Sequence, residues 1–168
     1  VQYDVPIMKV QAYSLDEIFA KHLLMLIPFY IFSHERAFPE YNSNEGKLEE
    51  LKAEYQVILE RLDELEYQGV IGAFDKQTII DLSGDVIQEI AQKYKNVQKG
   101  VGDMMRGALI ETRARTILSQ GISQGISQGK RETALKLLNR GKQTIEEIAE
   151  DTGLSVAEVK QLEKLRTI

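Results

Sequence analysis

The 168-residue sequence has no cysteine, no tryptophan, three prolines and two histidines. Without cysteine, disulfides and thiolate-bound zinc are excluded, and a reducing cytoplasm is the expected setting. So few prolines leave long helices uninterrupted. The longest apolar run, residues 23–32, is too short to span a bilayer, and no targeting peptide is visible. No phosphate loop, nucleophile elbow or zinc signature occurs. The net charge of -5 speaks against a dominant nucleic-acid surface. What is present is globular in character, 43% apolar and 28% charged. The chain does not begin with Met, and residues 3–32 (YDVPIMKVQAYSLDEIFAKHLLMLIPFYIF) read as the inside of a larger protein.

The expected fold is mainly α: a short N-terminal edge strand, a long helical hairpin, a further long helix and a helix-turn-helix-like tail. Residues 1–12 alternate loosely, with Val5, Ile7 and Val10 as buried candidates and Pro6 restricting the strand to an edge. Ser14 and Glu17 have the spacing of a capping box. Leu15, Ile18, Phe19 and Leu26 then recur at helical spacing, Pro28 kinks or restarts the helix, and residues 29–32 form a block expected to be buried. From about Lys47 to Gln68, Leu48, Leu51, Tyr55, Ile58, Leu62 and Leu65 trace a coiled-coil-like heptad seam, stopped at Gly69. Asp75 opens the next helix, with Ile79, Leu82, Val86, Ile90 and Tyr94 on one stripe. The short linker predicts antiparallel packing of the two.

After Gly100-Val101-Gly102, Asp103 starts a third long helix with Ile110, Ala114, Ile117 and Leu118 on one face. It runs into a tetrad repeat, SQGI-SQGI-SQGK over residues 119–130. Each glycine costs a helix about 1 kcal/mol relative to alanine. Either the glycines form a flat stripe for a close-packed neighbour, or the segment is a flexible linker. The expected division is 1–39 (end of a nuclease-like core), 40–99 (hairpin), 100–130 (helix with repeat) and 131–168 (tail).

The tail is the sharpest local motif. Thr144–Glu147 and Ser155–Glu158 are two capping-box spacings around Gly153, with Ile148, Ala149, Leu154, Val159 and Leu162 as the buried set. A second helix of this kind presents Ser155, Val156, Lys160, Gln161 and Lys164 outward. Ser155, Lys160, Gln161 and Lys164 are therefore the candidate DNA-binding residues. Glu146, Glu147, Glu150 and Asp151 on the first helix oppose a phosphate backbone, so a structural cap or protein-docking module stands beside the DNA reading. His22 and His34 match no metal-ligand spacing. The Glu-x-Lys triplets Glu45–Lys47, Glu50–Lys52 and Glu158–Lys160 fall on helices, so they read as surface charge. No catalytic or metal-binding residue is assigned.

The block YDVPIMKVQAYSLDEIFAKHLLMLIPFYIF resembles the junction region of Rpn-type recombination-promoting nucleases, also called PD-(D/E)XK nuclease family transposases. The resemblance continues in order through KLEELKAEYQVILERLDEL, FDKQTIIDLS, IAQKYKNVQKGVGDMM and ISQGISQGK. It implies a bacterial, cytoplasmic, magnesium-dependent DNA endonuclease that promotes recombination. In that family the catalytic Asp and Glu-x-Lys belong to an α/β core before the VPIMKVQ strand, so no catalytic residue carries over. The expected function is a C-terminal accessory region lacking the catalytic core, with DNA, an upstream nuclease core and a second copy of the chain as partners, no membrane and no cofactor of its own. The alternative is a non-catalytic DNA-binding or oligomerising helical protein.

Overall fold

The computed structural model describes residues 10–166, with side chains through residue 165. Every regular element among them is helical. The expected strand over residues 1–12 is corrected accordingly: Val10–Ala12 form a 3-10 turn, closed by Tyr13 N–H donating to the Val10 carbonyl at 3.0 Å. Within this turn Val10 is half-buried and Gln11 and Ala12 are exposed. Val5, Ile7 and the rest of residues 1–9 lie outside the described residues.

Helix α1 (Leu15–Ala20) starts with the expected box: Glu17 N–H donates to Ser14 Oγ at 3.2 Å, and Ser14 N–H donates to Glu17 Oε2 at 3.0 Å. It does not run on to Pro28. His22, at φ 53°, takes the left-handed conformation usually given to glycine, and Leu23 N–H closes onto the Ile18 carbonyl at 2.9 Å. The apolar block continues as the 3-10 helix Leu24–Ser33, which tolerates Pro28 inside it. Its burial is divided. Leu24, Ile27, Tyr30 and Ile31 are buried, whereas Met25 and Phe29 stay exposed.

A short 3-10 turn (Glu35–Ala37) and helix α2 (Phe38–Ser43) lead to α3 (Glu45–Tyr67), capped by the Asn44 side chain accepting from Lys47 N–H at 3.2 Å. The seam read from sequence is the packed face: Leu51, Tyr55, Ile58 and Leu62 are buried, with Leu48 and Leu65 packed at its ends. Helix α4 (Ala73–Ile90) starts one turn earlier than expected, at Gly72, whose N–H donates to Asp75 Oδ2 at 3.0 Å. Its buried face is Ile79, Ile80, Ser83, Gly84 and Ile87, rotated from the predicted stripe; Leu82 is exposed and Tyr94 lies beyond the helix. Ser83 is admitted to the core because its hydroxyl donates to the Ile79 carbonyl at 2.6 Å. Gly84 is buried beside Met105, whose Cβ would stand in ordinary contact, at 3.7 Å, with a Cβ added at Gly84. Besides its contact with α3, α4 packs extensively on the Leu24–Ser33 segment.

The single turn α5 (Lys95–Val97) and a π-turn (Gln98–Gly102) lead into α6 (Asp103–Arg140). Gln88 and Gln98 clasp this junction reciprocally, each side-chain amide donating to the other's carbonyl, at 3.2 and 3.0 Å. A Cβ at Gly102 would meet the Gln88 side-chain amide, so a larger residue there would have to push that amide out of the clasp. Of the α6 residues read onto one face, Ile110, Ile117 and Leu118 are exposed, and Met105, Leu109 and Thr112 supply the packed side.

The chain divides into two compact units, residues 1–114 and 115–168. The second has its own core, Ala134 and Leu138 of α6 with Ile148 and Ala149 of α7 (Ile145–Thr152) and Val159 of α8 (Val156–Arg166). Among the described residues no helix is long and apolar enough to cross a membrane.

Candidate nucleic-acid interface

The second unit is built by local signals that agree with one another. Thr144 N–H donates to Glu147 Oε2 at 2.7 Å and Glu147 N–H returns to Thr144 Oγ1 at 3.3 Å, which starts α7. Gly153, at φ 63° and ψ 28°, ends it in the left-handed region. Two residues later a second box starts α8: Ser155 N–H donates to Glu158 Oε2 at 2.8 Å, and Glu158 N–H donates to Ser155 Oγ at 3.3 Å. Thr152 is buried at the crossing with its hydroxyl satisfied by the Ile148 carbonyl at 2.6 Å.

With Val159 buried and Leu162 packed beside it, the opposite side of α8 faces solvent. Lys160, Gln161 and Lys164 are exposed there, at i, i+1 and i+4, behind exposed Val156 and Ala157. Ser155 lies at the start of the same face, but its hydroxyl donates to Glu158 Oε2 at 2.7 Å and is committed to the cap. That hydroxyl and the Ser155 backbone N–H hold the Glu158 carboxyl below its ordinary range. Lys160, Gln161 and Lys164 thus remain the uncapped polar groups of this exposed face.

Sequence reasoning does not find Lys130. Its Nζ donates to the Gly153 carbonyl at 3.2 Å, placing a cation at the C-terminal end of α7, where the helix dipole favours one. Lys130 and Arg131 add a smaller electrostatic lowering of the Glu158 carboxyl. Lys130 is 23 residues from Gly153, and no local pattern announces the contact. Charge is unevenly shared between the units. Residues 1–114 carry 12 Lys/Arg against 19 Asp/Glu, a net of -7, and residues 115–168 carry 9 against 7, a net of +2. The second unit is thus mildly basic through Arg115 and Lys130, since residues 131–168 by themselves carry 7 Lys/Arg against 7 Asp/Glu.

Other ionisable groups have structural partners. The triplet lysines are tied within α3, Lys47 to Glu50 at 2.8 Å and Lys52 to Glu49 at 2.7 Å. Lys76, with only 3% of its side chain exposed, pairs with Asp63 and with Glu66, the latter at 2.6 Å. Burial disfavours its charge, but the two carboxylates outweigh that and its pKa is raised. His34 is half-buried in a polar cluster: Nε2 stands 3.2 Å from Glu54 Oε2, Nδ1 is 3.1 Å from the Tyr41 hydroxyl, and Tyr30 Oη donates to Glu54 Oε1 at 2.5 Å. Burial lowers the His34 pKa against the pull of Glu54. His22 is exposed. Among the described residues no group of three or more His, Asp or Glu is placed to hold a metal ion.

No family model, no curated protein and no solved structure matches the chain.

Proposed function

We propose that this chain is the helical accessory region of an Rpn-like DNA endonuclease that promotes recombination in the bacterial cytoplasm. The second unit meets duplex DNA, and the first packs beside the nuclease core. Supporting the family reading is the ordered succession of blocks from VPIMKVQ to ISQGISQGK. The observation that carries the DNA reading is the exposed Lys160–Gln161–Lys164 face on the second helix of a helix-turn-helix pair. The lysines supply sequence-independent affinity, and the acidic side of α7 limits how the duplex can lie.

Fluorescence anisotropy with a labelled duplex at low salt tests this. The full chain binds, and Lys160→Ala with Lys164→Ala weakens binding and reduces the magnitude of the salt slope by about 2, one counterion for each phosphate that a lysine no longer neutralises. No binding at low salt, or binding that the double substitution leaves intact, would overturn the assignment.

A further inference from the structure

We infer that residues 117–129 of α6 are the contact face of a parallel homodimer, formed by the same helix of a second copy of this chain. Within the second unit, Ile117, Leu118, Ile122 and Ile126 are 69, 64, 55 and 57% exposed. Together they present on the order of 400 Å² of apolar surface, the size of the largest patch a monomer ordinarily shows and about half of one side of a standard interface.

These residues are arranged as a ridge beside a groove. Leu118, Ile122 and Ile126 form one row, four residues apart. One residue earlier, Ile117, Gly121, Gly125 and Gly129 form the adjacent row. A Cβ added at Gly121, Gly125 or Gly129 would meet no atom within 4 Å, so this chain's own packing has no use for their smallness. Rows of this kind interlock when two helices cross with the ridge of each in the groove of the other.

Self-complementarity selects a second copy as the occupant. A two-fold axis running along the helices places the ridge row of one protomer against the groove row of its partner at the same height. Ile122 then enters between Gly121 and Gly125 of the other copy, and Ile126 between Gly125 and Gly129. Rows four residues apart on both helices interlock at a crossing angle of about -50°. In a parallel pair each residue lies near its own duplicate, so any charge on the face would repel itself. Residues 116–129, fourteen in succession, carry none. The contact involves no residue of α7 or α8, so it stands whether or not the tail binds DNA.

Sedimentation velocity of the full chain across a concentration series tests the proposal. It gives a reversible dimer, and Gly121→Val with Gly125→Val, which fills the groove while leaving helix content by circular dichroism unchanged, weakens dimerisation at least tenfold. Ile122→Glu does the same by setting like charges across the axis. Because the chain has no cysteine, Leu118→Cys provides a single oxidisable thiol. The parallel pair gives a disulfide-linked dimer from this variant alone. A chain that stays monomeric means the face serves another partner and overturns the proposal. So does a dimer indifferent to both groove and ridge substitutions. A dimer that cross-links only when Leu118→Cys is combined with Ile126→Cys is antiparallel and overturns the register.

Discussion

Gly153 is the residue on which the two-helix tail turns, and replacing it gives a graded forecast. Its φ of 63° lies where a Cβ crowds the following carbonyl, at a cost of about 1–2 kcal/mol for an ordinary residue. Space adds little: an added Cβ would stand 3.2 Å from Lys130 Nζ, the free end of a flexible side chain. The ordering follows from backbone preference alone. Gly153→Asn costs least, because Asn tolerates the left-handed region; Gly153→Ala costs about 1–2 kcal/mol; and Gly153→Val costs more, since β-branched residues are outliers there. With two units in the chain, one melting temperature blends two events. Amide hydrogen exchange of α7 and α8 isolates the opening that matters. Each 1.4 kcal/mol is tenfold, so Gly153→Ala should lower protection there by roughly 5–30-fold. Gly107→Ala, in open helical surface of α6 outside the proposed contact face, should instead raise local protection, by up to about fivefold. Unchanged protection in Gly153→Ala, or Asn more disruptive than Val, would refute the conformational argument.

Two further outcomes test the first unit. Lys76→Met keeps the buried stem and leaves Asp63 and Glu66 free to hydrate, so urea titration should show a loss of about 1 kcal/mol, against about 2–3 kcal/mol for Lys76→Ala, which also opens a void. His34 is held neutral by burial with its pKa below 6.5, so the unfolded chain takes up its proton first as pH falls. This group therefore contributes a loss of stability below pH 6.5. His34→Gln should flatten the stability-against-pH curve there, and an unaltered slope would exclude His34 as its source.

Much of this fold is legible in the sequence wherever one element carries its own instructions. The α3 seam from Leu48 to Leu65 and the capping boxes of α1, α7 and α8 are short-range patterns with a direct physical meaning, and the structure has them at those positions. Failures occur where a partner far along the chain decides. Val10 belongs to a turn because the chain must enter the cap at Ser14, although its composition suits a strand. The α4 face is rotated because Gly84 and Ser83, unremarkable by hydropathy, are buried beneath Met105 and by a satisfied hydroxyl. Glu54 and His34 meet across 20 residues with no shared spacing. On α6, helical spacing puts Ile110, Ile117 and Leu118 on one face, but periodicity alone does not say whether a face is covered, and these three are exposed. At the candidate interface, Lys160, Gln161 and Lys164 follow from the local register of α8, while Lys130 becomes visible only once Gly153 is placed in space.

The boxes that open α1 and α8 share one chemistry, a hydroxyl and an ionised glutamate exchanging bonds with the backbone. In both Glu17 and Glu158 those bonds hold the carboxyl below its ordinary range, so their contribution is complete at neutral pH and disappears as acid titrates them. Acidification therefore unfastens two distant helix starts by the same event, fraying their first turns while the aliphatic interior stays packed.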